Sequence, residues 1–186
     1  MKRIIAGVMA LFLLTGCTGK RDELDRAMKL RATLLGCLGC SFDVALTADY
    51  GDELHEFRMN CQTGGHGDLQ FTVLEPESIA GITGQITSKE GKLTFDDVAL
   101  YFPLLADGQI TPVSGPWILM KTLLGGYLTA VTREEKLLHL TIHDSYEEDA
   151  LQMEIWLNED DIPICGEILY GGRRIVTMNV ENFVIR

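Results

Sequence analysis

From Cys40 onward, apolar residues recur at every second position in short segments, and this period of two constrains the fold most. The segments are separated by Gly, Asp and Asn turns and continue almost to Arg186. Such alternation predicts about ten β-strands, each buried on one face. Because the connections are short, with a two-residue hairpin turn at Gly171 and Gly172, we expect antiparallel neighbours rather than helical crossovers.

One long alternating segment, residues 92–102, changes its parity. Its apolar residues occupy odd positions up to Phe95 and even positions from Val98 onward. One extra residue in a strand produces this shift, so the pattern predicts a β-bulge at Asp96 and Asp97. A bulge there would bend the sheet.

An amphipathic helix is expected before the first strand. Asp22 is a candidate N-cap. Arg31 interrupts the apolar face, where it either neutralises a buried acid or a ligand head group, or lays its stem on apolar surface with the charge in water. The predicted apolar face, at a spacing of 3.6 residues, comprises Leu24, Ala27, Met28, Leu34, Leu35 and Leu38.

A second, short helix is expected where the strand pattern is interrupted. Pro116 suits its first turn, and Gly125 with Gly126 suits its end. Such a helix must be covered because it is apolar on nearly every side. One possibility is that the helix plugs one end of the sheet. The other is that it forms a lid over an apolar cavity, and as a lid it would contact the ligand. Its apolar residues are Trp117, Ile118, Leu119, Met120, Leu123 and Leu124.

The N-terminus has the pattern of an export signal. A basic start at Lys2 and Arg3 precedes an apolar run from Ile4 to Leu14, which is too short to span a membrane permanently. The tetrapeptide that ends in Cys17 resembles a lipobox, in which the Cys thiol receives a lipid and the chain is cut before it. We therefore expect a signal peptide at 1–16, a lipidated Cys17 with a tether to residue 21, and one domain over 22–186. An uncleaved anchor, or an ordinary secretory signal cut elsewhere, is the alternative.

The expected mature chain is strongly acidic. Removal of Lys2 and Arg3 with the leader leaves 14 basic and 27 acidic residues, a formal charge of −13. This charge argues against nucleic-acid binding and against electrostatic adsorption to anionic lipid. The acyl chains at Cys17 would have to hold the protein at the cell membrane, on its extracytoplasmic face.

Four cysteines remain after Cys17, and exported proteins permit disulfides. A hairpin turn centred on Tyr50 and Gly51 would place Cys40 opposite Cys61, which leaves Cys37 to pair with Cys165 or both as free thiols. Cys37 and Cys40 also form a Cys-x-x-Cys motif. A thioredoxin-like centre would follow a strand and begin a helix, whereas this motif follows a helix and begins a strand.

The sequence predicts neither a catalytic nor a metal site. His139 and His143 are four residues apart. On a helix this spacing lets both side chains bind one metal ion, but on a strand the two residues lie about 13 Å apart, which is too far for one ion. No Ser lies in a Gly-x-Ser-x-Gly setting. We expect no cofactor, no bound metal and no enzymatic activity.

The order of these elements, together with one segment, resembles a known superfamily. A segment and the strand after it are similar to the corresponding part of the lipoprotein-localisation carriers and of Gram-positive relatives that include a spore-germination lipoprotein. The segment is Pro76-Glu77-Ser78-Ile79-Ala80-Gly81-Ile82, and the strand contains Leu93-Thr94-Phe95-Asp96-Asp97. The resemblance implies an α+β fold: an incomplete antiparallel barrel of about ten or eleven strands with helices across its mouth. In the carriers the concave apolar face receives acyl chains, whereas in the germination relatives the fold is implied to act through protein partners.

These observations predict a non-enzymatic, lipid-anchored protein that binds an acyl chain, a lipid or a lipoprotein in an apolar concavity. With its own anchor it resembles a membrane-fixed receptor more than a soluble shuttle. The alternative is a scaffold for a protein partner in a cell-envelope or germination complex, with a homodimer as one form.

The substitution Cys17→Ser tests the anchor. We expect the variant to lose both the acyl mass and retention in the membrane fraction, because no other thiol occupies the lipobox position. Intact mass and cell fractionation measure these two properties. A wild-type product that is full length and unmodified would contradict the expectation.

Overall fold

A computed structural model describes residues 18–64, 67–96, 98–103, 105–106, 109–147 and 150–186. The predicted signal peptide and Cys17 lie outside these residues. Within the described ranges, neither helix combines the length and apolarity that a membrane span requires.

Within the described residues, the fold consists of one eleven-stranded antiparallel sheet, two α-helices, two single-turn 3-10 helices (Glu77–Ile79 and Pro112–Ser114) and a separate short hairpin. The helices are α1 (Thr18–Gly36) and α2 (Gly115–Gly125). The hairpin comprises β7 (Leu105–Ala106) and β8 (Gln109–Ile110). The strands of the large sheet are β1 (Gly39–Asp49), β2 (Leu54–Gly64), β3 (Leu69–Glu75), β4 (Thr83–Ile86), β5 (Gly91–Phe95), β6 (Val98–Phe102), β9 (Tyr127–Glu134), β10 (Leu137–His143), β11 (Gln152–Leu157), β12 (Pro163–Tyr170) and β13 (Arg173–Ile185).

The sheet is open, and its spatial order is β6-β5-β4-β3-β2-β1-β13-β12-β11-β10-β9. Every connection between sequence neighbours is a hairpin except the long one from β6 to β9, which carries α2. The first and last strands pair in the middle, with Cys40 opposite Ile185. This architecture confirms the predicted α+β class, a curved antiparallel half-barrel with two helices.

The turn chemistry of the last hairpin is as predicted. Tyr170 and Arg173 face each other across Gly171 and Gly172, whose φ angles are 56° and 75°. Two positive φ angles in succession define the tight turn that matches the twist of paired strands, and glycine adopts them without steric cost.

The predicted bulge is wrong. Residues 91–102 form two strands, with Phe95 facing Val98 across a two-residue connection. Asp96 adopts a φ of 47°, which aspartate tolerates better than most residues. The change of parity therefore comes from a chain reversal, which keeps Phe95 and Val98 on the same face of the sheet.

The predicted register of the first hairpin is also wrong, by two residues. Cys40 lies opposite Thr63, and Cys61 lies opposite Phe42, because the loop extends over residues 50–53. A shift of two residues leaves every side chain on its predicted face, so the apolar pattern alone does not detect it.

Helix α1 differs from the prediction at its start and on its face. It begins at Thr18, so Asp22 lies inside the helix rather than at its N-cap. Its buried residues are Ala27, Leu30 and Leu34. Three residues assigned to the buried face are instead substantially exposed, namely Leu24, Met28 and Leu35, and Leu38 lies beyond the end of the helix.

The substitution Leu119→Ala tests the packing of α2 in the core. Leu119 has no solvent exposure, so we expect the cavity to lower the free energy of unfolding by about 2–5 kcal/mol. Chemical denaturation measures this quantity. The control Leu54→Ala removes a side chain that is 62% exposed, and it should change stability by less than about 0.5 kcal/mol. Equal effects of the two substitutions would contradict the packing described here.

Candidate functional site

Helix α2 occupies the concave side of the sheet. Eight of its eleven residues are buried, including Trp117, Ile118, Met120 and Leu123. Leu119 lies against Gly166 of β12, and Gly115 packs against Leu46 of β1. The residues proposed to contact a ligand are therefore brought together, but they pack on the protein's own core. Of the two interpretations of this helix, the geometry favours the plug.

Arg31 binds the C-terminal end of this plug. Its Nε–H donates to the carbonyl oxygen of Leu123 at 2.7 Å, and its Nη2 group donates to that of Thr122 at 3.2 Å. Carbonyl groups in the last turn of a helix carry partial negative charge, so a cation is favoured there. The Thr122 carbonyl oxygen also accepts from the backbone N–H of Gly126 at 2.9 Å. Burial lowers the pKa of the Arg31 guanidinium, but arginine stays protonated. Arg31 thus neutralises a helix terminus rather than an acid or a ligand.

Other polar contacts hold the two helices in place. The indole N–H of Trp117 donates to the carbonyl oxygen of Gly67 at 3.1 Å. Within α1, Arg26 pairs with Asp161 at 2.6 Å, and Glu23 lies 3.7 Å from Arg133 of β9. Both helices are therefore fixed to the sheet or its loops at more than one point.

A small pocket of about 190 Å³ remains between the two helices and the strands β1 and β2. Of the residues predicted to contact a ligand, Leu124 lines this pocket and Trp117 does not. Sites for drug-sized ligands measure about 300–1,000 Å³, so this space is small for a long acyl chain. Its full lining comprises Leu34, Leu35, Cys37, Gly39, Cys40, Thr63, Gly64, Gly67, Met120 and Leu124.

The concave face has a second apolar region, at the end of the sheet formed by β5 and β6. Strand pairing and alternation place five apolar side chains on this face, and we call the region the open concave end; its residues are Leu93, Phe95, Val98, Leu100 and Phe102. Phe95, Val98 and Leu100 are 60%, 70% and 63% exposed. Phe102 lies over Gly91, where a Cβ atom would collide with its ring. The change of parity between Phe95 and Val98 is the sequence signal for this site, because it marks a chain reversal that places both apolar segments on one face.

The two edges of the sheet differ in protection. The β9 edge carries Arg133 and Glu134, and α1 packs beside it. Strand β6 contains no charged residue, and no described strand pairs with its outer side. Natural edge strands usually carry charges, proline or a cover that prevents pairing with other chains. The unprotected edge therefore coincides with the exposed apolar face.

The cysteines lie in three different environments. Cys37 and Cys40 have their Sγ atoms 3.9 Å apart. Cys61 is fully buried opposite Phe42. Cys165 lies on the outer face of β12, because its neighbour Gly166 faces the core. Within the described residues all four cysteines are free thiols.

This arrangement corrects both candidate disulfides. Cys40 and Cys61 are not directly opposed, since their register differs by two residues from the predicted one. The sheet separates Cys37 from Cys165, because Cys37 lies on the helix-covered side and Cys165 on the outer side.

A polar cluster on the outer face surrounds His139. Its Nδ1 lies 2.9 Å from a carboxylate oxygen of Glu134, and its Nε2 lies 2.6 Å from one of Glu154. The Nε2 atom is buried, and its contact with Glu154 is not an aligned hydrogen bond. Trp156 stacks on the imidazole, with ring centroids 4.4 Å apart, and donates its N–H to Glu134.

The cluster lacks the geometry of nucleophile activation. Thr132 has its hydroxyl 3.4 Å from Nδ1 of His139, which is farther than Glu134 from the same atom. A general base must have a free nitrogen aimed at the nucleophile, but both nitrogens here face carboxylates. Among the described residues, no group of three or more His, Cys, Asp or Glu side chains has the geometry to hold a metal ion.

The substitution Arg31→Met tests the contact between α1 and α2. Loss of the charged donor leaves two carbonyl groups at the end of α2 without this partner, so we expect the free energy of unfolding to fall by about 1.5–3 kcal/mol. Chemical denaturation measures the change. The control Arg58→Met removes an exposed ion pair with Glu181, which should cost no more than about 1 kcal/mol. An Arg31 variant as stable as the wild type would contradict the role of this contact.

Comparison with known proteins gives likenesses of structure only. The chain matches no protein-family model and no curated protein sequence. It is similar to a putative outer membrane lipoprotein-sorting protein domain from Vibrio parahaemolyticus, with a TM-score of 0.49, 8% identity, and coverage of 90% of this chain and 94% of the other. For a LolA superfamily protein from Nitrosomonas europaea these values are 0.44, 11%, 86% and 93%.

A further likeness involves a complex from Clostridioides difficile. One chain of the structure of the CwlD amidase in complex with the GerS lipoprotein has a TM-score of 0.43 and 12% identity, with coverage of 86% of this chain and 93% of the other. All three similarities are likenesses of fold.

Proposed function

We propose that this protein is a lipid-anchored extracytoplasmic lipoprotein that binds a partner protein, without catalysis, through the open concave end. One observation carries the proposal: the edge of β6 with which no described strand pairs lies beside the exposed apolar side chains of Phe95, Val98 and Leu100. An edge strand offers backbone N–H and C=O groups, and the adjacent face offers apolar surface.

An extended segment of a partner satisfies both features at once. Such a segment adds a strand to the sheet, with backbone hydrogen bonds for affinity and alternate side chains for specificity. An acyl chain would cover the apolar side chains but leave the backbone groups of β6 without protein partners. The absence of charge on β6 further favours an apolar partner strand, because no desolvation of an ionised group opposes docking.

The anchor would hold this surface close to the membrane. Helix α1 begins at Thr18, the residue after Cys17, and its contacts with β9 and α2 join it to the sheet. A lipid on Cys17 would therefore be connected to the folded domain without a long linker. Because the chain is acidic, its body would be repelled by anionic lipid, which leaves its surfaces available to proteins.

Acyl binding is the second candidate function, and the observation that supports it is the apolar lining of the pocket between the helices rather than its volume of about 190 Å³. Apolar residues from both helices line this space, including Leu34, Met120 and Leu124. A long acyl chain would require α2 to move away from the sheet and Arg31 to release its carbonyl partners. The acyl chain would then occupy the space on the concave side that α2 already fills.

A photo-crosslinking amino acid at Leu100 tests the proposal in living cells. We expect adducts with one dominant protein other than this chain, because position 100 lies at the centre of the open concave end. The same amino acid at Leu54 is the matched control, since the two leucines are 63% and 62% exposed. In addition, Leu100→Lys should weaken capture of the crosslinked protein at least about fivefold, as expected for a buried interface residue, while Leu54→Lys should not.

Other outcomes contradict the proposal in distinguishable ways. Equal labelling from both positions, or none from position 100, would exclude a partner strand at this edge. Adducts with lipid, together with a change in Trp117 emission on addition of fatty acid in a Trp156→Phe background, would favour the acyl candidate. Adducts only with a second copy of this chain would indicate a homodimer instead.

A further inference from the structure

The connection between α1 and β1 holds two cysteines in a rigid backbone. Cys37 follows the last residue of α1, and Cys40 is the second residue of β1. The N–H of Leu38 donates to the carbonyl oxygen of Arg186 at 2.7 Å, and the N–H of Arg186 donates to that of Gly39 at 2.9 Å. The connection is therefore tied to the C-terminal strand on both sides of the turn.

Gly39 adds to this rigidity. Its φ angle is 154°, and a Cβ atom at this position would collide with the carbonyl oxygen of Thr63. Only glycine allows the chain to pass this close to β2. The two cysteines on either side of Leu38 and Gly39 consequently have a fixed relation, with their sulfurs 3.9 Å apart.

We propose that Cys37 and Cys40 are a disulfide site, which closes in the presence of a disulfide oxidant and joins the end of α1 to β1. The physiological occurrence of this bond rests on the proposed extracytoplasmic location, where disulfides persist. Formation of the bond brings the sulfurs from 3.9 Å to about 2.05 Å.

The reaction is a two-step thiol–disulfide exchange with a small-molecule disulfide or a disulfide-bearing oxidoreductase. The Cys37 thiolate, having lost its proton to solvent, attacks one sulfur of the oxidant. Cys37 then forms a mixed disulfide with that sulfur, and the other sulfur of the oxidant leaves as a thiol. The Cys40 thiol then loses its proton and attacks the Cys37 sulfur, which releases the second thiol. Two protein thiols are oxidised, and one disulfide is reduced to two thiols.

Exposure decides the order of these steps. Cys37 is partly exposed, whereas Cys40 is 3% exposed, so an oxidant reaches Cys37 first. Burial, and then the neighbouring Cys37, raise the pKa of Cys40 to about 12. Cys40 is therefore a poor nucleophile toward molecules in solution, but it lies within reach of a mixed disulfide on Cys37.

The other cysteines do not compete for this pair. Cys61 has no exposed surface and lies within the core of the sheet. Cys165 lies on the outer face, where Trp156 is its cross-strand neighbour. The new bond would also change the pocket between the helices, since Cys37 and Cys40 both line it.

Peptide mapping of the purified full chain tests the proposal. The chain carries Cys17→Ser so that four thiols remain, and it is treated with oxidised glutathione, unfolded, alkylated and digested with trypsin. Cleavage after Arg31 and Arg58 places Cys37 and Cys40 in one peptide, residues 32–58, separate from Cys61. We expect this peptide to be lighter by two hydrogen atoms and to accept two alkyl groups only after reduction, while Cys61 and Cys165 are alkylated at once.

Two variants make the result specific. Cys61→Ser should leave the mass change intact, whereas Cys37→Ser should abolish it and leave Cys40 open to alkylation. A bond between Cys40 and Cys61 or between Cys37 and Cys165, or four thiols that remain alkylatable after oxidation, would overturn the proposal. Because the assay uses purified protein, its result is independent of anchoring, which fractionation of the Cys17→Ser variant tests separately.

Discussion

The burial of the concave face by α2 is the interaction on which the rest of the structure depends. A single open sheet exposes its apolar face unless another element covers it, and here the chain inserts an apolar helix between β6 and β9 for that purpose. Met120 and Leu119 are almost completely removed from water in this position. Apolar packing holds most of α2 against the sheet. At the edges of this contact, Arg31 and Trp117 donate hydrogen bonds to backbone carbonyl oxygens.

This cover is incomplete, and its limits define the candidate site. Helix α2 has eleven residues, or about 16 Å of length, which is less than the width of eleven strands at about 4.8 Å each. Helix α1 extends the cover toward β9, so the uncovered part lies at the opposite edge, on β5 and β6. The same asymmetry protects one edge of the sheet and leaves the other open. An interior filled by the protein's own helix and an exposed apolar edge together favour binding of a protein over enclosure of a ligand.

Much of the fold could be predicted from the sequence, and the failures have physical causes. Strand alternation, the Gly171–Gly172 turn and the short apolar helix are local properties, and each was predicted correctly. The first hairpin register was wrong because a shift of two residues preserves both faces, so only the length of the loop distinguishes the two registers. The prediction of a bulge at Asp96 is wrong because a bulge and a two-residue turn change the apolar parity in the same way. On α1 the predicted apolar stripe was too wide, because the sheet covers only the side that carries Ala27, Leu30 and Leu34.

The sequence by itself determined the class of fold, the two predicted helices and the acidity of the chain. Fold class and helices follow from periodicity, which depends on residues that are close together in the chain, and acidity follows from a count of charged residues. The tertiary structure alone decided which apolar side chains remain in water, which cysteines are neighbours and what Arg31 binds. Leu100 and Leu119 are both leucines in apolar segments, yet one is exposed and the other buried. Leu119 lies on α2 and packs against β12, whereas Leu100 lies on β6 at the edge of the sheet, and no local pattern encodes these positions. The same holds for Arg31, whose partners are about ninety residues away in the chain.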